Sequence, residues 1–336
     1  MNGRWANRLL LGLLLAAGAA PIQGGQDDES FLRRYAATYR FSLGRPTAIS
    51  LTPAGDRALF LRSGPRDFVR SLYEVDAATG AERLLLSAEQ LLQGQAEQLS
   101  AEELARRERM RLAARGIAGY ELSRDGARIL VPLSGRLFVV ERASGATREL
   151  AIGQAAALDP RFSPDGNHVA WVSAGDLHVA ELATNQVRAL TTGATDTLTR
   201  GLAEFVAQEE MDRMHGYWWS PESNQILYQE TDTAAVELLE IADPARPERP
   251  PQAWRYPRAG TRNASVRLLL SARTGGTPRE VLWDREAFPY LANVCWEANA
   301  PLVILVQNRA QTVLRLLEVD CDDGTTRLLH EETDEA

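Results

Sequence analysis

Short, dense apolar runs punctuate this chain, and each follows a compact polar turn. The runs Arg57-Ala-Leu-Phe-Leu61, Arg128-Ile-Leu-Val131, His168-Val-Ala-Trp-Val172 and Gln225-Ile-Leu-Tyr228 read as β-strands. The turns ahead of them are Thr52-Pro-Ala-Gly55, Ser123-Arg-Asp-Gly126, Ser163-Pro-Asp-Gly166 and the variant Ser220-Pro-Glu-Ser-Asn224. Proline at the second turn position presets φ, and glycine accepts positive φ, which is hairpin chemistry. A second turn recurs downstream, at Thr79-Gly80, Ser144-Gly145, Thr184-Asn185, Thr274-Gly275 and Asp323-Gly324. Before these lie strands such as Ser71–Val75, Arg136–Val140, Asp176–Ala180 and Leu314–Val319. Four strands in a period of about forty residues predict an all-β fold, a β-propeller of four-stranded blades. Ser123 and Ser163 stand one uninterrupted period apart, and five repeats are legible, the last from Asn293 to Leu329.

Two insertions stretch the period. Residues 87–116 read as a helix: Ser100 and Glu103 form a capping box, Ala, Leu and Glu dominate the residues after it, and Gly116 ends it. That helix carries the string Ala105-Arg-Arg-Glu-Arg-Met-Arg111. Residues 233–262 contain Pro244-Ala-Arg-Pro-Glu-Arg-Pro-Pro251 and are expected to be an irregular excursion. After His330 the chain runs into an acidic tail. Cys295 and Cys321 are too few for a disulfide scaffold, and their spacing fits either one bridge between neighbouring strands or two buried thiols.

With 336 residues, 45% of them apolar, the chain can bury a large core. A net charge of −8 and the lack of a basic stretch flanked by aromatics exclude a nucleic-acid partner. Residues 1–19, with Arg4 and Arg8 ahead of an apolar run from Leu9, have the charge and length of a secretory signal rather than a membrane span. Ala17 and Ala19 offer the small residues of a cleavage site, and an uncleaved anchor is the alternative. Cleavage would leave no membrane span and put the folded body, residues 27–336, in the periplasm or outside the cell. No Gly-x-Ser-x-Gly elbow occurs, so no hydrolase domain is expected in this chain. His168, His178, His215 and His330 are scattered without metal-ligand spacing, and no glycine-rich phosphate loop is present, so neither a metal nor a cofactor is expected.

The candidate chemistry lies in the stretch from Ala203 to Pro221, where Glu209 and Glu210 stand just ahead of the aromatic run Tyr217-Trp-Trp219. A peptide α-amine, with a pKa of about 8, is largely a cation at neutral pH. Two carboxylates can hold one ammonium through charge-assisted hydrogen bonds, provided a short turn aims both at a cavity. The same spacing also fits the solvated face of a short helix that includes Asp212. The arginine string has two readings as well. Arg106, Arg107, Arg109 and Arg111 alternate with Glu102, Glu103 and Glu108 as a solvated face would. Alternatively, one guanidinium reaches over the propeller mouth to a peptide carbonyl.

Glu204-Phe-Val-Ala-Gln-Glu-Glu-Met211 followed by Gly216-Tyr-Trp-Trp-Ser-Pro221 resembles the N-terminal propeller of the dipeptidyl peptidase IV family and its bacterial relatives. Arg107-Glu-Arg-Met-Arg-Leu-Ala-Ala-Arg-Gly-Ile117, with Tyr120 after it, resembles the arginine-bearing helix of the dipeptidyl peptidase 8/9 and bacterial branches. Tyr256-Pro-Arg-Ala-Gly-Thr-Arg-Asn-Ala264 resembles the family's stretch ahead of the next strand. The resemblance runs in order through nearly all of the mature chain. Gln208 departs from relatives that carry a third glutamate there.

The resemblance implies an extracytoplasmic serine peptidase that releases N-terminal dipeptides with Pro or Ala second. It assigns Glu209 and Glu210 to the substrate's α-ammonium and an arginine, Arg107 or its neighbour Arg106, to the substrate backbone. It implies about five of the family's eight blades, and a hydrolase domain as the partner that would supply the serine, aspartate and histidine. Alone, the chain is not expected to turn over substrate. The partners implied are a peptide N-terminus, that hydrolase domain and a second copy in a homodimer. A free-standing periplasmic propeller serving as a binding module is the alternative, and it would close by lending a strand from Ala36 to Leu43 to the last blade.

Overall fold

The computed structural model describes residues 30–99, 103–104, 107, 114–153 and 155–334. Helix α1 (Phe31–Ala37) precedes the first blade. Blade one is β1 (Thr47–Leu51), β2 (Arg57–Ser63), β3 (Val69–Asp76) and β4 (Glu82–Leu86), and α2 (Ala88–Leu92) follows it. The two-residue β5 (Arg115–Gly116) returns to run parallel beside β3. Blade two is β6 (Glu121–Leu122), β7 (Arg128–Leu133), β8 (Arg136–Glu141) and β9 (Thr147–Glu149). Blade three is β10 (Leu158–Phe162), β11 (His168–Ser173), β12 (Asp176–Glu181) and β13 (Gln186–Ala189). Blade four opens on β14 (Leu198–Arg200), helix α3 (Phe205–Glu210) and β15 (Tyr217–Trp219), then continues through β16 (Gln225–Asp232). A separate ribbon of β17 (Leu238–Ile241) and β18 (Gln252–Arg255) interrupts it before β19 (Ser265–Ala272) and β20 (Arg279–Val281) complete the sheet. Blade five is β21 (Tyr290–Cys295), β22 (Val303–Gln307), β23 (Val313–Val319) and β24 (Thr326–Thr333).

The apolar runs are continuous because the second strand of an inner blade is buried on both faces. Along β7, Ile129 and Val131 pack toward blade one, while Leu130 between them packs toward blade three. Along β11, Val169 and Trp171 face blade two and Ala170 and Val172 face blade four. In β16, Ile226 and Tyr228 face blade three and Leu227 faces blade five. Side chains alternate across a strand, so one run fills two seams. A fully buried side chain of this size stabilises by about 1.5–3 kcal/mol, so these seams carry the fold. On blade one the face away from blade two is closed by Phe60 stacked on Tyr73 at 5.7 Å, with Arg62 lying 4.5 Å over the tyrosine ring.

The recurring turn works through its first residue. The hydroxyls of Thr52, Ser123, Ser163 and Ser220 each accept the backbone N–H five residues on, at 3.1, 2.9, 2.9 and 3.1 Å. The hydroxyl thereby closes the first hairpin of four blades. Gly126 has φ of +71° and lies against Pro53 of the preceding turn, so glycine there meets both a backbone and a packing demand.

Several expectations need correction. Residues 36–43 are the end of α1 and a series of turns, so no strand passes from there to blade five. Gly116 does not end a helix: it pairs with Arg70 in β5, and its positive φ lets the chain enter that pairing. The expected capping residue Ser100 lies outside the described residues, while a capping box does form at Ser87 and Gln90 to open α2. Residues 233–262 are not irregular throughout. Leu238 pairs with Arg255 and Ile241 with Gln252, leaving the prolines in the connecting loop. The segment after His330 is not a free tail, since β24 continues to Thr333. Both thiols are free, Cys295 exposed and Cys321 half-buried. The signal-like segment 1–19 lies outside the described residues.

Candidate functional site

The first strand of blade four is broken. On β16, Glu230 is opposite Arg200 of β14 and Tyr228 is opposite Tyr217 of β15, so Gln229 alone faces the whole segment 201–216. Its backbone closes the gap: the Gln229 N–H donates to the Gly216 carbonyl at 2.8 Å and the Gly201 N–H donates to the Gln229 carbonyl at 2.8 Å. The segment is in effect a very long β-bulge. Leu202 and His215 bridge its neck. Gly216 is required there, because an added Cβ would meet the Leu202 backbone at 2.3–2.6 Å.

Inside the neck sits a buried polar anchor. Glu204 precedes α3 but makes no capping bond with its side chain. Its Oε2 instead accepts from Gln229 Nε2 at 2.6 Å and from Arg213 Nη2 at 3.2 Å. Arg213 donates onward through Nη1 to the His215 carbonyl at 2.8 Å and through Nε to Leu291 of blade five at 3.1 Å. Burial holds the Arg213 guanidinium below its usual pKa, with Glu204 opposing. Phe205 packs edge-on to Tyr256 at 5.0 Å, and Gln208 folds back to donate to the Ala203 carbonyl at 2.5 Å.

Glu209 and Glu210 are the last two residues of α3, and both are exposed. Neither side chain makes a hydrogen bond or ion pair with any described residue. No basic residue occupies the last turn of the helix, so both acids sit unneutralised near its negative end. This placement leaves a pair of carboxylates on a firmly based loop with full capacity for an external cation. Arg107 is placed otherwise. It is buried, and donates through Nε to Glu103 at 2.9 Å, through Nη2 to Glu97 at 3.1 Å and through Nη1 to the Ala114 carbonyl at 3.1 Å. Each of its nitrogens is therefore engaged in holding the insertion together. Arg106 lies outside the described residues.

A cleft of about 290 Å³ opens on the first strands of blades two and three and brings Arg107 together with Tyr120, Glu121, Asp159, Arg161 and His215. Glu209 and Glu210 are not among its lining residues. Glu121 accepts the Phe162 N–H at 2.7 Å, yet burial pushes its carboxyl up to about 7. His215, half-exposed, has Nδ1 2.9 Å from Asp159, which leaves Nε2 as the outward nitrogen. Arg161 lies 3.3 Å from Asp159 and 4.0 Å over the ring of Tyr217. Tyr217 donates to the Asp159 carbonyl at 2.6 Å, and burial raises its phenol above the usual value. Sequence reading missed this network; the one available signal was a pair of charges, Asp159 and Arg161, within an inner strand. Among the described residues no group of three His, Cys, Asp or Glu side chains is placed to hold a metal ion, and no helix is long and apolar enough to cross a membrane.

Residues 123–336 match the protein family described as the dipeptidyl peptidase IV (DPP IV) N-terminal region. Dipeptidyl peptidase 8 of Mus musculus is 30% identical over 193 residues, covering 48% of this chain and 21% of the relative. The Homo sapiens protein of the same name is 28% identical over 229 residues, covering 52% and 25%. Dipeptidyl peptidase 4 of Sus scrofa is 24% identical over 180 residues, covering 49% and 24%. The matches thus span a quarter or less of these curated relatives. The crystal structure of Porphyromonas gingivalis dipeptidyl peptidase 4 aligns with a TM-score of 0.71 at 18% identity, covering 93% of this chain and 43% of that one, a likeness of fold.

Proposed function

Because the chain belongs to the family of the dipeptidyl peptidase IV N-terminal region, we propose that it is the propeller through which a dipeptidyl peptidase recognises the free amino end of a peptide. Glu209 and Glu210 grip the α-ammonium. Fixing that end sets which peptide bond lies two residues inward, so the acids act as a ruler for dipeptide release with Pro or Ala second. A hydrolase domain supplies the nucleophile and its partners. Contact with the substrate backbone falls to Arg106, or to N–H groups that Arg107 has not committed. We place the chain in the periplasm or outside the cell on the strength of the signal-like residues 1–19.

The observation that supports this reading is the contrast within one loop. Its base is fixed by the buried Glu204–Arg213 pair, while Glu209 and Glu210 have no described partner. Stability alone gives no reason to place two acids at the negative end of a helix. Titration of the chain with an Xaa-Pro peptide tests the reading. The free-amine peptide is expected to bind, and its N-acetylated form to bind at least about 100-fold more weakly, the usual scale for losing one partner of a desolvated charge contact. Glu209→Gln and Glu210→Gln are each expected to produce a loss of similar size. Equal binding of the two peptides would remove the acids from the site.

A further inference from the structure

The outer seam between blades three and four holds a second cleft, of about 190 Å³, whose lining shares no residue with the loop 201–216. Val179 and Val187 form its apolar wall, and His168, Glu181, Arg188 and Arg273 its polar lining. Arg188, on the rim strand β13, donates through Nη1 to the Thr274 carbonyl at 2.5 Å, which holds its guanidinium across the seam. Arg273 Nε and His168 Nδ1 are buried without a hydrogen-bond partner among the described residues. Both residues are fixed from behind. The Arg273 N–H donates to the Asn224 carbonyl at 2.9 Å, and the His168 N–H donates to Ser163 Oγ at 2.9 Å. The imidazole stands 6.3 Å from the Trp219 ring, with Asp165 3.9 Å from its Nδ1. Burial and the nearby Arg273 keep this histidine below its usual pKa, while Asp165 and Glu181 oppose them.

Two guanidinium groups and an imidazole around so small a space favour an acceptor-rich anion. The size suits a small anion better than a nucleotide, since pockets for larger organic ligands usually measure about 300–1,000 Å³. Glu181 narrows the choice further. Its carboxylate, held by Thr184 Oγ1 at 2.7 Å, lines the same cleft. It repels a fully deprotonated anion and accepts a hydrogen bond from one that keeps an O–H. Hydrogen phosphate keeps an O–H as a dianion; sulfate and a phosphomonoester dianion do not. We propose that the seam between blades three and four binds inorganic phosphate, with Arg188 and Arg273 on its oxygens, His168 beneath, and Glu181 accepting the phosphate O–H.

Calorimetric titration of the chain with inorganic phosphate, sulfate and O-phosphoserine, at constant ionic strength near neutral pH, tests this site. Phosphate is expected to bind saturably at one site, at least ten-fold more tightly than either competitor, and to move the His168 imidazole resonances where chloride does not. Arg188→Gln, at an exposed position, should weaken phosphate at least ten-fold while leaving the melting temperature in chloride unchanged. Glu181→Gln should reduce the preference for phosphate over sulfate to less than three-fold. Equal affinities for phosphate and sulfate in the unaltered chain, no saturable heat, or full phosphate affinity in Arg188→Gln would each overturn the proposal. The site is independent of peptide recognition, so its failure would leave the reading of Glu209 and Glu210 untouched.

Discussion

Glu204 and Arg213 meet at 3.2 Å beneath the loop that carries the two free acids, and neither side chain is more than 6% exposed. Breaking a buried pair by removing one partner leaves an uncompensated charge, which typically costs about 3–5 kcal/mol. Glu204→Ala and Arg213→Ala are therefore each expected to lower unfolding stability by that order in denaturant titrations. Because both groups belong to one network, the double substitution should cost clearly less than the sum. Additive losses would show that the two side chains act separately.

Glu209 and Glu210 should behave in the opposite way. Exposed side chains without partners change stability by about 0.5 kcal/mol or less, and removing negative charge from a helix C-terminus acts in the stabilising sense. Glu209→Gln and Glu210→Gln are expected to leave the thermal midpoint unchanged or slightly raised while peptide binding falls. A large drop in the midpoint would assign these acids a structural role.

The neck of the loop offers a sharper steric test. A Cβ at position 216 would sit 2.3–2.6 Å from the Leu202 backbone, which cannot yield as the end of a flexible side chain can. Gly216→Ala is expected to destabilise by about 1–3 kcal/mol, the scale of overpacking in a close-packed interior. It should also speed proteolysis within residues 201–216. Intact resistance to proteolysis would mean that the neck can open without harm.

Glu121 predicts a pH dependence whose sign follows from its raised pKa. An ordinary glutamate titrates near 4.5, whereas this one titrates at about 7. Between those values the folded chain keeps a proton that the unfolded chain releases, so stability falls as pH rises through that window. The displacement corresponds to an effect on the order of 3 kcal/mol. Glu121→Gln should flatten this part of the stability profile and leave the variant the more stable form at pH about 8. Parallel profiles for the two proteins would contradict the assignment.

Much of the blade order was legible because it rests on local chemistry. Ser123, Ser163 and Ser220 close their turns through their own hydroxyls, and runs such as His168–Val172 stay apolar because both faces are covered. The turn at Thr184-Asn185 is likewise visible, with Asn185 at φ of +58°. What escaped is non-local. Arg107 alternates with glutamates as a surface residue would, and its bond to Glu97, 10 residues away, leaves no trace in helical spacing. The ribbon pairing Leu238 with Arg255 was hidden by prolines that lie between the strands rather than in them. Glu209 and Glu210 were conspicuous as a pair, but nothing in the spacing revealed that Glu204 and Arg213 clamp the loop on either side. The Asp159–His215 contact joins blades three and four and leaves no periodic trace.

Gly201 and Gly216 both hang from the backbone of one residue, Gln229. Whatever the chain does between those two points, the sheet on either side keeps its hydrogen bonds. Doubling the length of a flexible closed loop adds only about 0.6 kcal/mol of closure entropy. The acid-bearing stretch is thus a tool head on a fixed handle: closure entropy sets little limit on the length or charge of what lies between Glu204 and Arg213, so long as that buried pair stays to hold the handle.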